Sequence, residues 1–524
     1  MRKLIADRQS VAILLVALML TAACGSTVQA PQATQLGDDE LGDLSTGGAL
    51  PPGATINDKG QVVSSSGEVL GSAEDFGVSV PDGANGGAGP VAGGTNGGTG
   101  GTVGGSGGGA ALGPGVTSDK IYLGIVYLDA GAANQALAGQ AIESDARKAY
   151  DAMIEEVNKA GGLGGREVVP IYHKYDADSS ETIAQQAQAA CARFTQDNKV
   201  YAILAFDNGA GVIQECVERA GAVQPVHYNG GSLPEDFRKY PHYVEITGMN
   251  ALRVGPVTVT GLKREGYFDK GFKLGIVTWD DAGYKKSVDE GYIPALAKQG
   301  IELSTEPAYI SPPQTYDDLA AMSADINNAI LRFQSQGITH VIIAAGPSGL
   351  CGFACMETVW FRRAESQNYR PRYGLNDNNL PTGAYDQGLY PAEQLRDAVA
   401  VGWADLNKAS DEGTRVNQAR ESCFDLMRKK GVPMGNVNQE NDARQACDEL
   451  RFLQLIVNVK LDGVPRVNDQ FIAAVNTLGT SFPSTAAYGT HFSAAQHDGI
   501  AAARNLKFLA SCDCWRYTTD PYRV

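Results

Sequence analysis

Beyond position 116 the hydrophobic positions switch repeatedly between two spacings, predicting strands and helices in turn. Ile121 to Leu128 is an apolar run long enough for one buried strand and too short for a core helix. A Gly/Ala/Asn loop comes next, from Asp129 to Gly139. Ile142, Ala146, Ala149, Tyr150, Met153, Ile154 and Val157 then recur at three- and four-residue spacing, which is one face of a helix. Gly161-Gly162 stop it by turning the chain through positive φ. Val168 to Tyr172 reads as a second buried strand. Strand, helix, strand is a βαβ unit, and it demands a parallel sheet with helices on its faces.

The same alternation continues. Glu181 to Gln196 predicts a helix, Val200 to Phe206 a strand, Ile213 to Ala220 a helix, and Val226 to Tyr228 a strand ending at Asn229-Gly-Gly-Ser232. Around Ile246 to Ala251 the pattern resets. Val257 to Gly266 is helical, Lys273 to Thr278 a strand, Asp281 to Gly300 a loop and helix, and Ile338 to Ala345 and Arg372 to Leu375 are strands of a second α/β lobe. The chain is expected to return near Asn376 to Pro381, with Ala398 to Trp403 back in the first lobe and a last crossing after Gly479. About 400 residues exceed what one core usually supports, which also asks for two lobes.

The N-terminus changes the picture. Arg2, Lys3 and Arg8 precede a mostly apolar Val11 to Ala23, a secretory signal too short for a spanning helix. Leu20-Thr21-Ala22-Ala23-Cys24 resembles a bacterial lipobox, with Thr21 where that motif prefers leucine; the resemblance implies lipid on Cys24 and residues 1–23 removed. From Gly83 to Gly115, 17 of the 33 residues are glycine, so residues 24–115 cannot bury enough apolar surface to offset ordering entropy. They are expected to form a disordered tether of roughly 50 Å r.m.s. span. With 59 acidic against 43 basic residues and a net charge of −16, the chain lacks the basic footprint that nucleic-acid binding needs.

Eight cysteines besides Cys24, an even number in an exported chain, make disulfides the default. Cys191 and Cys216 fall on successive helices, Cys351 and Cys355 flank a short loop, and Cys423 and Cys447 lie on neighbouring helical segments. Cys512 and Cys514 remain, and a bridge between them is strained but can form; sequence alone does not fix the connectivity. No Cys-x2-Cys pair appears, and His491 and His497 are six apart, so no metal site is expected. Gly162-Leu-Gly164 follows a helix and is no dinucleotide fingerprint; Gly346-Pro-Ser348-Gly349-Leu350 lacks the second glycine of a nucleophile elbow. No Walker A sequence occurs. No cofactor and no catalysis are expected.

In open parallel sheets, ligands sit beyond the carboxyl ends of strands, where helix N-termini offer unpaired N–H groups. The candidate loops are Leu128 to Ala133, Asp207 to Gly209, Asn229 to Ser232, Asp281 to Tyr284 and Gly346 to Ser348. They nominate Asp207, Asn208, Gly209, Asn229, Gly230, Gly231, Ser232, Asp281, Tyr284, Gly346 and Ser348 as ligand-binding residues.

Asn158-Lys-Ala-Gly-Gly-Leu-Gly-Gly165, with a strand and Asp176 after it, resembles a signature of the type I periplasmic binding proteins, closest to the branched-chain amino acid receptors of ABC importers. The resemblance spans most of Val116 to about Trp403 and returns at Gln496-His-Asp-Gly499. It implies two Rossmann-like lobes joined by three crossover segments, with lobe 1 formed by 116–247 and 376–479 and lobe 2 by 248–375 and 480–524. Ser410 to Gln445 reads as an insertion. By the same resemblance, Tyr284 of Asp281-Ala-Gly-Tyr284 lies against the ligand, though Lys285 replaces the family's glycine. Asn229-Gly-Gly-Ser232 would hold the ligand's polar head. Phe206-Asp-Asn-Gly-Ala210 departs from the family's Gly-Pro-x-x-Ser and removes an expected serine. The function implied is that of a lipid-anchored extracytoplasmic receptor that passes a small polar solute, an amino acid, amide or similar, to an ABC permease and its ATPase. A ligand sensor that signals without transport is the alternative, and a surface hydrolase is disfavoured by the missing motifs.

Overall fold

The structure, a computed structural model, describes residues 112–129, 144–206, 211–352, 354–404, 417–465 and 468–524, together with three short strands nearer the N-terminus. The signal segment, Cys24, most of the glycine-rich stretch, and Asp207, Asn208 and Gly209 lie outside the described residues. The chain divides into two compact units, Met1–Gly104 and Gly105–Val524. In the first, β1 (Thr55–Ile56), β2 (Gln61–Val63) and β3 (Val69–Ser72) form an antiparallel sheet. The tether reading had no element here. Val62, Val63, Val69 and Leu70 flank polar turn residues, a strand signal diluted by the glycine and serine around it.

In the second unit, β4 (Lys120–Asp129) lies between β5 (Glu167–Asp176) and β6 (Ala202–Leu204), parallel to both, with β5 in register from Lys120↔Glu167 to Asp129↔Asp176. β7 (Gln224–Val226) and β8 (Tyr243–Glu245) pair in parallel, and single parallel bridges Ala202↔Val223 and Glu245↔Asp498 continue the row. Helix α1 (Ala146–Lys159) buries Ala149, Tyr150, Met153, Ile154 and Val157, the face its spacing predicts. The turn that ends it needs glycine. Gly162 has φ +75°, and a Cβ there would stand 1.8 Å from the Arg166 carbonyl oxygen. Helices α2 (Ile183–Ala192) and α3 (Val212–Ala220) come next, α2 opened by a Thr182/Gln185 capping box.

After α4 (Ala251–Arg264) the chain builds its second sheet, from β9 (Leu274–Trp279), β10 (Ala308–Ile310), β11 (His340–Ile343) and β12 (Arg372–Asn376). Helices α5 (Leu319–Ser335) and α6 (Cys355–Ser366) connect them. β13 (Val399–Gly402) joins this sheet, not the first, pairing Gly374↔Val399 through Asn376↔Val401 in parallel with β12. The expected return at Asn376 to Pro381 is therefore corrected. All four residues of β13 are buried, and such an all-apolar run suits an interior position in either sheet equally well.

The chain reaches the first lobe again beyond Ala404, with α7 (Gln418–Lys429), α8 (Val437–Gln454) and α9 (Asn468–Asn476). Cys423, Met427, Ala443, Ala446, Cys447 and Leu450 are buried in one cluster with Ile121, Ile125 and Tyr150. The described part of Ser410 to Gln445, from Asn417 on, thus supplies part of the first lobe's core. The chain crosses back around Phe482 to Ala486, whose side chains belong to the first- and second-lobe clusters respectively. β14 (Ala502–Leu509) then pairs antiparallel with β13, with β15 (Cys514–Tyr517) and β16 (Tyr522–Arg523) at its edge. The order of the second sheet is β10-β9-β11-β12-β13-β14-β15. Disulfides join Cys191–Cys216, Cys351–Cys355, Cys423–Cys447 and Cys512–Cys514. Among the described residues no helix is long and apolar enough to cross a membrane.

Candidate functional site

The strand ends of both sheets open on one cavity of about 290 Å³, near the small end of the range for small-molecule sites. From the first lobe, Val126, Tyr127 and Leu128 come from the end of β4, Phe206 from beyond β6, and His227 and Tyr228 from just past β7. From the second lobe come Pro347, Leu350 and Cys355 after β11, Asp377, Asn378 and Leu380 after β12, and Trp403 and Ala404 after β13. Helix α8 closes one wall with Asn438, Asn441, Asp442 and Gln445. Their i, i+3, i+4, i+7 spacing puts all four on one helical face.

The lobes touch through hydrogen bonds beside the cavity. The Tyr228 hydroxyl donates to Asn378 Oδ1 at 3.1 Å, and Lys286 pairs with Glu235 across the same cleft. Asp377 accepts the backbone N–H groups of Trp403 and Ala404, which fixes the mouth of β13 against that of β12.

Beneath the α8 wall lies a group of acids withdrawn from water. Asp442 accepts from Ser144 Oγ (2.7 Å) and the Asp145 N–H (2.9 Å), and desolvation pushes its carboxyl up to about 6. Roughly two helical turns further on, Asp448 and Glu449 are fully buried. Asp448 accepts from Ser484 Oγ at 2.6 Å and is pushed up to about 6; Glu449 accepts from Tyr150 and from the His227 N–H at 2.8 Å and is pushed up to about 8. Burial, with the Arg444 charge, lowers His227 to about 3, so its ring is neutral near pH 7. His227 Nδ1 stands 3.6 Å from Asp448 Oδ2.

The predicted loop residues that the structure describes pack around the rings of Tyr284, Tyr228 and Tyr243, next to the cavity but off its lining. Tyr284 is buried; its N–H bonds to Asp281 Oδ1 at 2.9 Å and its hydroxyl to the Pro347 carbonyl at 3.1 Å. Ser348 Oγ donates to Asp281 Oδ2. A Cβ on Gly231 would meet the Tyr284 ring at 3.4 Å, one on Gly346 the Tyr284 hydroxyl at 2.5 Å, and one on Gly230 the Tyr228 ring and Pro347 at 3.2–3.3 Å. Asn229 is buried beside Tyr243, and Ser232 bonds to Tyr243 and Glu245. Residues one or two positions away, His227, Tyr228 and Pro347, do line the cavity. Sequence reasoning missed the α8 face, whose spaced Asn438, Asn441 and Gln445 were the available signal.

The chain matches no protein-family model and, by sequence, none of the curated proteins. Solved structures share its fold. A type 1 periplasmic binding protein from Bordetella pertussis Tohama I aligns with TM-score 0.55 at 15% identity, covering 77% of this chain and 100% of that one. A solute-binding protein of an ABC transporter from R. palustris, in complex with 4-hydroxybenzoate, gives 0.55 at 14%, covering 77% and 97%. A branched-chain amino acid ABC transporter protein from Thermus thermophilus with bound valine gives 0.54 at 13%, covering 78% and 98%. The second unit therefore has the α/β fold of type I periplasmic binding proteins.

Proposed function

We propose that this chain is an extracytoplasmic solute receptor, held to the membrane by lipid on Cys24, that captures a small polar solute between its lobes for an ABC permease and ATPase. The observation that carries this reading is the cavity itself. It lies where the carboxyl ends of two parallel sheets face each other, and residues of both lobes and of α8 enclose it. Similar folds with valine or 4-hydroxybenzoate in hand support it. Ligand contacts made by both lobes favour the closed population, and a permease can read that state. Tyr284, Asp281, Ser348 and the Asn229–Ser232 loop, packed behind the cavity, hold its walls in that arrangement.

The test is calorimetry of the full chain against amines, amino acids, amides, ureas and short peptides, with Gln387→Trp as a blocked control. Gln387 lines the cavity and is only partly buried, so an indole there fills the space without opening the core. One class of solute should bind saturably to the native chain and not to the blocked one. Binding that survives the block, or no binding by any class, overturns the reading.

A further inference from the structure

The lining of the cavity has an unusual charge balance. Among its described residues there is no lysine or arginine, whereas Asp442 and Asp377 both contribute carboxylates. Asp377 is committed, its Oδ2 taking two backbone N–H groups. Asp442 is not. Both of its donors, Ser144 Oγ and the Asp145 N–H, go to Oδ2, and Oδ1 has no hydrogen-bond partner among the described residues. The basic residue nearest in sequence, Arg444, does not line the cavity. It is buried with its guanidinium 5.3 Å from the Phe424 ring centroid and its Nη1 on Asn441 Oδ1 at 3.2 Å.

The neighbouring polar groups fit the same kind of occupant. Neither ring nitrogen of His227 has a hydrogen-bond partner among the described residues, and Nδ1 faces the Asp448 carboxylate at 3.6 Å. A proton on Nδ1 lies toward that carboxylate, which leaves Nε2 as an acceptor. Gln445 donates through Nε2 to Glu449 Oε1 at 3.4 Å, leaving its carbonyl oxygen free to accept. Tyr127, Phe206, Tyr228 and Trp403 supply aromatic surface around these acceptors. Aromatic faces attract cations, and a carboxylate beside them adds a charge-assisted hydrogen bond.

Resting on the solute-receptor reading, we infer that the cavity selects solutes with an N–H-bearing cationic head on an apolar or aromatic body, that is, amines without a free carboxylate, with Asp442 as the specificity-determining residue. A carboxylate placed there meets Asp442 with no lysine or arginine in the described lining to balance it. An ammonium meets an open carboxylate oxygen and aromatic walls.

The test uses two matched series against the full chain: tyramine, 4-hydroxyphenylacetamide and 4-hydroxyphenylacetate, and isobutylamine, isobutyramide and isobutyrate. Thermal shift ranks each series and calorimetry gives affinities. The amine of at least one series should bind, its carboxylate should not, and the amide should be weaker than the amine. Asp442→Asn keeps an acceptor for Ser144 and Asp145, and it should weaken the amine about 10- to 100-fold, the range of one charge-assisted hydrogen bond, while changing the amide less than about threefold. Carboxylates binding where amines do not overturns this inference and leaves solute capture standing. So does an amine affinity unmoved by Asp442→Asn. The ligand-charge comparison in the native chain decides the matter even if the variant folds poorly. No shift from any of the six overturns the inference, and the broader calorimetric panel then decides separately whether solute capture survives.

Discussion

Replacing Glu449 by glutamine should make the fold more stable in alkali and leave it nearly unchanged in mild acid. Glu449 is fully buried beside Tyr150, the His227 N–H and Gln445, and desolvation raises its pKa from 4.5 to about 8. Between those values the folded state holds a proton that the unfolded chain has released. Stability is therefore fullest below about pH 4.5 and falls as pH rises toward 8, by up to about 1.4 kcal/mol per pH unit and on the order of 5 kcal/mol in all. His227 works in the opposite sense: lowered to about 3, it makes stability rise with pH, but only until the unfolded imidazole has lost its proton near pH 6.5. Glu245 and Glu357, each raised to about 7 by burial, slope the same way as Glu449 but are common to both proteins. Glutamine has the shape of the protonated acid and cannot ionise. Urea midpoints at pH 5.5 and 8.5 measure the effect. The variant should lie within about 1 kcal/mol of the native chain at the lower pH and about 2–4 kcal/mol above it at the higher one. A gap that is the same at both pH values would show that Glu449 is already ionised in the folded protein, and the account of the acids beneath α8 would fail.

Tyr228→Phe removes the hydroxyl bonded to Asn378 across the cleft and should weaken the closed state by about 1 kcal/mol, read as faster ligand release with little change in association; unchanged release rates refute it. Cys423→Ser together with Cys447→Ser opens a bridge between residues 24 apart in the first lobe's core and should cost about 2–4 kcal/mol in urea denaturation. Gly346→Ala sets a methyl 2.5 Å from the Tyr284 hydroxyl and 3.0 Å from Asn378 Cβ, and should cost about 1–3 kcal/mol by overpacking. Adding Tyr284→Phe should recover part of that loss, and a double variant no more stable than Gly346→Ala alone would show that the hydroxyl is not the obstacle.

The elements most legible in the sequence were those whose signal is local. The β4–α1–β5 unit needs only a short apolar run, a helical stripe and a glycine turn, and the Gly162 geometry explains why that turn reads so clearly. Sheet membership is not local. Val399–Gly402 looks the same to a periodicity argument whether it extends β12 or β8, and only its pairing with Gly374–Asn376 decides. The strand-end rule named loops that border the cavity, and the described residues it picked lie beside the lining. It named Asn229 to Ser232 and Gly346 and Ser348, while the adjacent His227, Tyr228 and Pro347 reach the cavity. Which residue of a loop faces inward depends on its φ/ψ path, and Gly230 and Gly231, both at positive φ, turn this one away. The α8 wall escaped because its amides sit in a stretch read as an insertion.

That helix joins the stability and the selectivity of the protein in one face. Along α8, Asn438, Asn441, Asp442 and Gln445 meet the cavity, and Asp448 and Glu449 continue about one turn past Gln445, deeper under the first sheet. Desolvation raises all three carboxyls, to about 6 at Asp442 and Asp448 and to about 8 at Glu449. At pH 7 Asp442 and Asp448 are ionised and Glu449 holds its proton. Of the three acids only Asp442 lines the cavity, so the negative charge a solute meets there is at Asp442, while Glu449 donates and accepts hydrogen bonds as a neutral group. Were Glu449 ionised as well, its charge would sit beneath His227 and favour protonating that ring, and the acceptor Nε2 would become a donor. The cavity's preference for a cationic head thus depends on a carboxyl that never reaches it: Glu449→Gln should leave amine binding intact at pH 7, where Asp442→Asn weakens it.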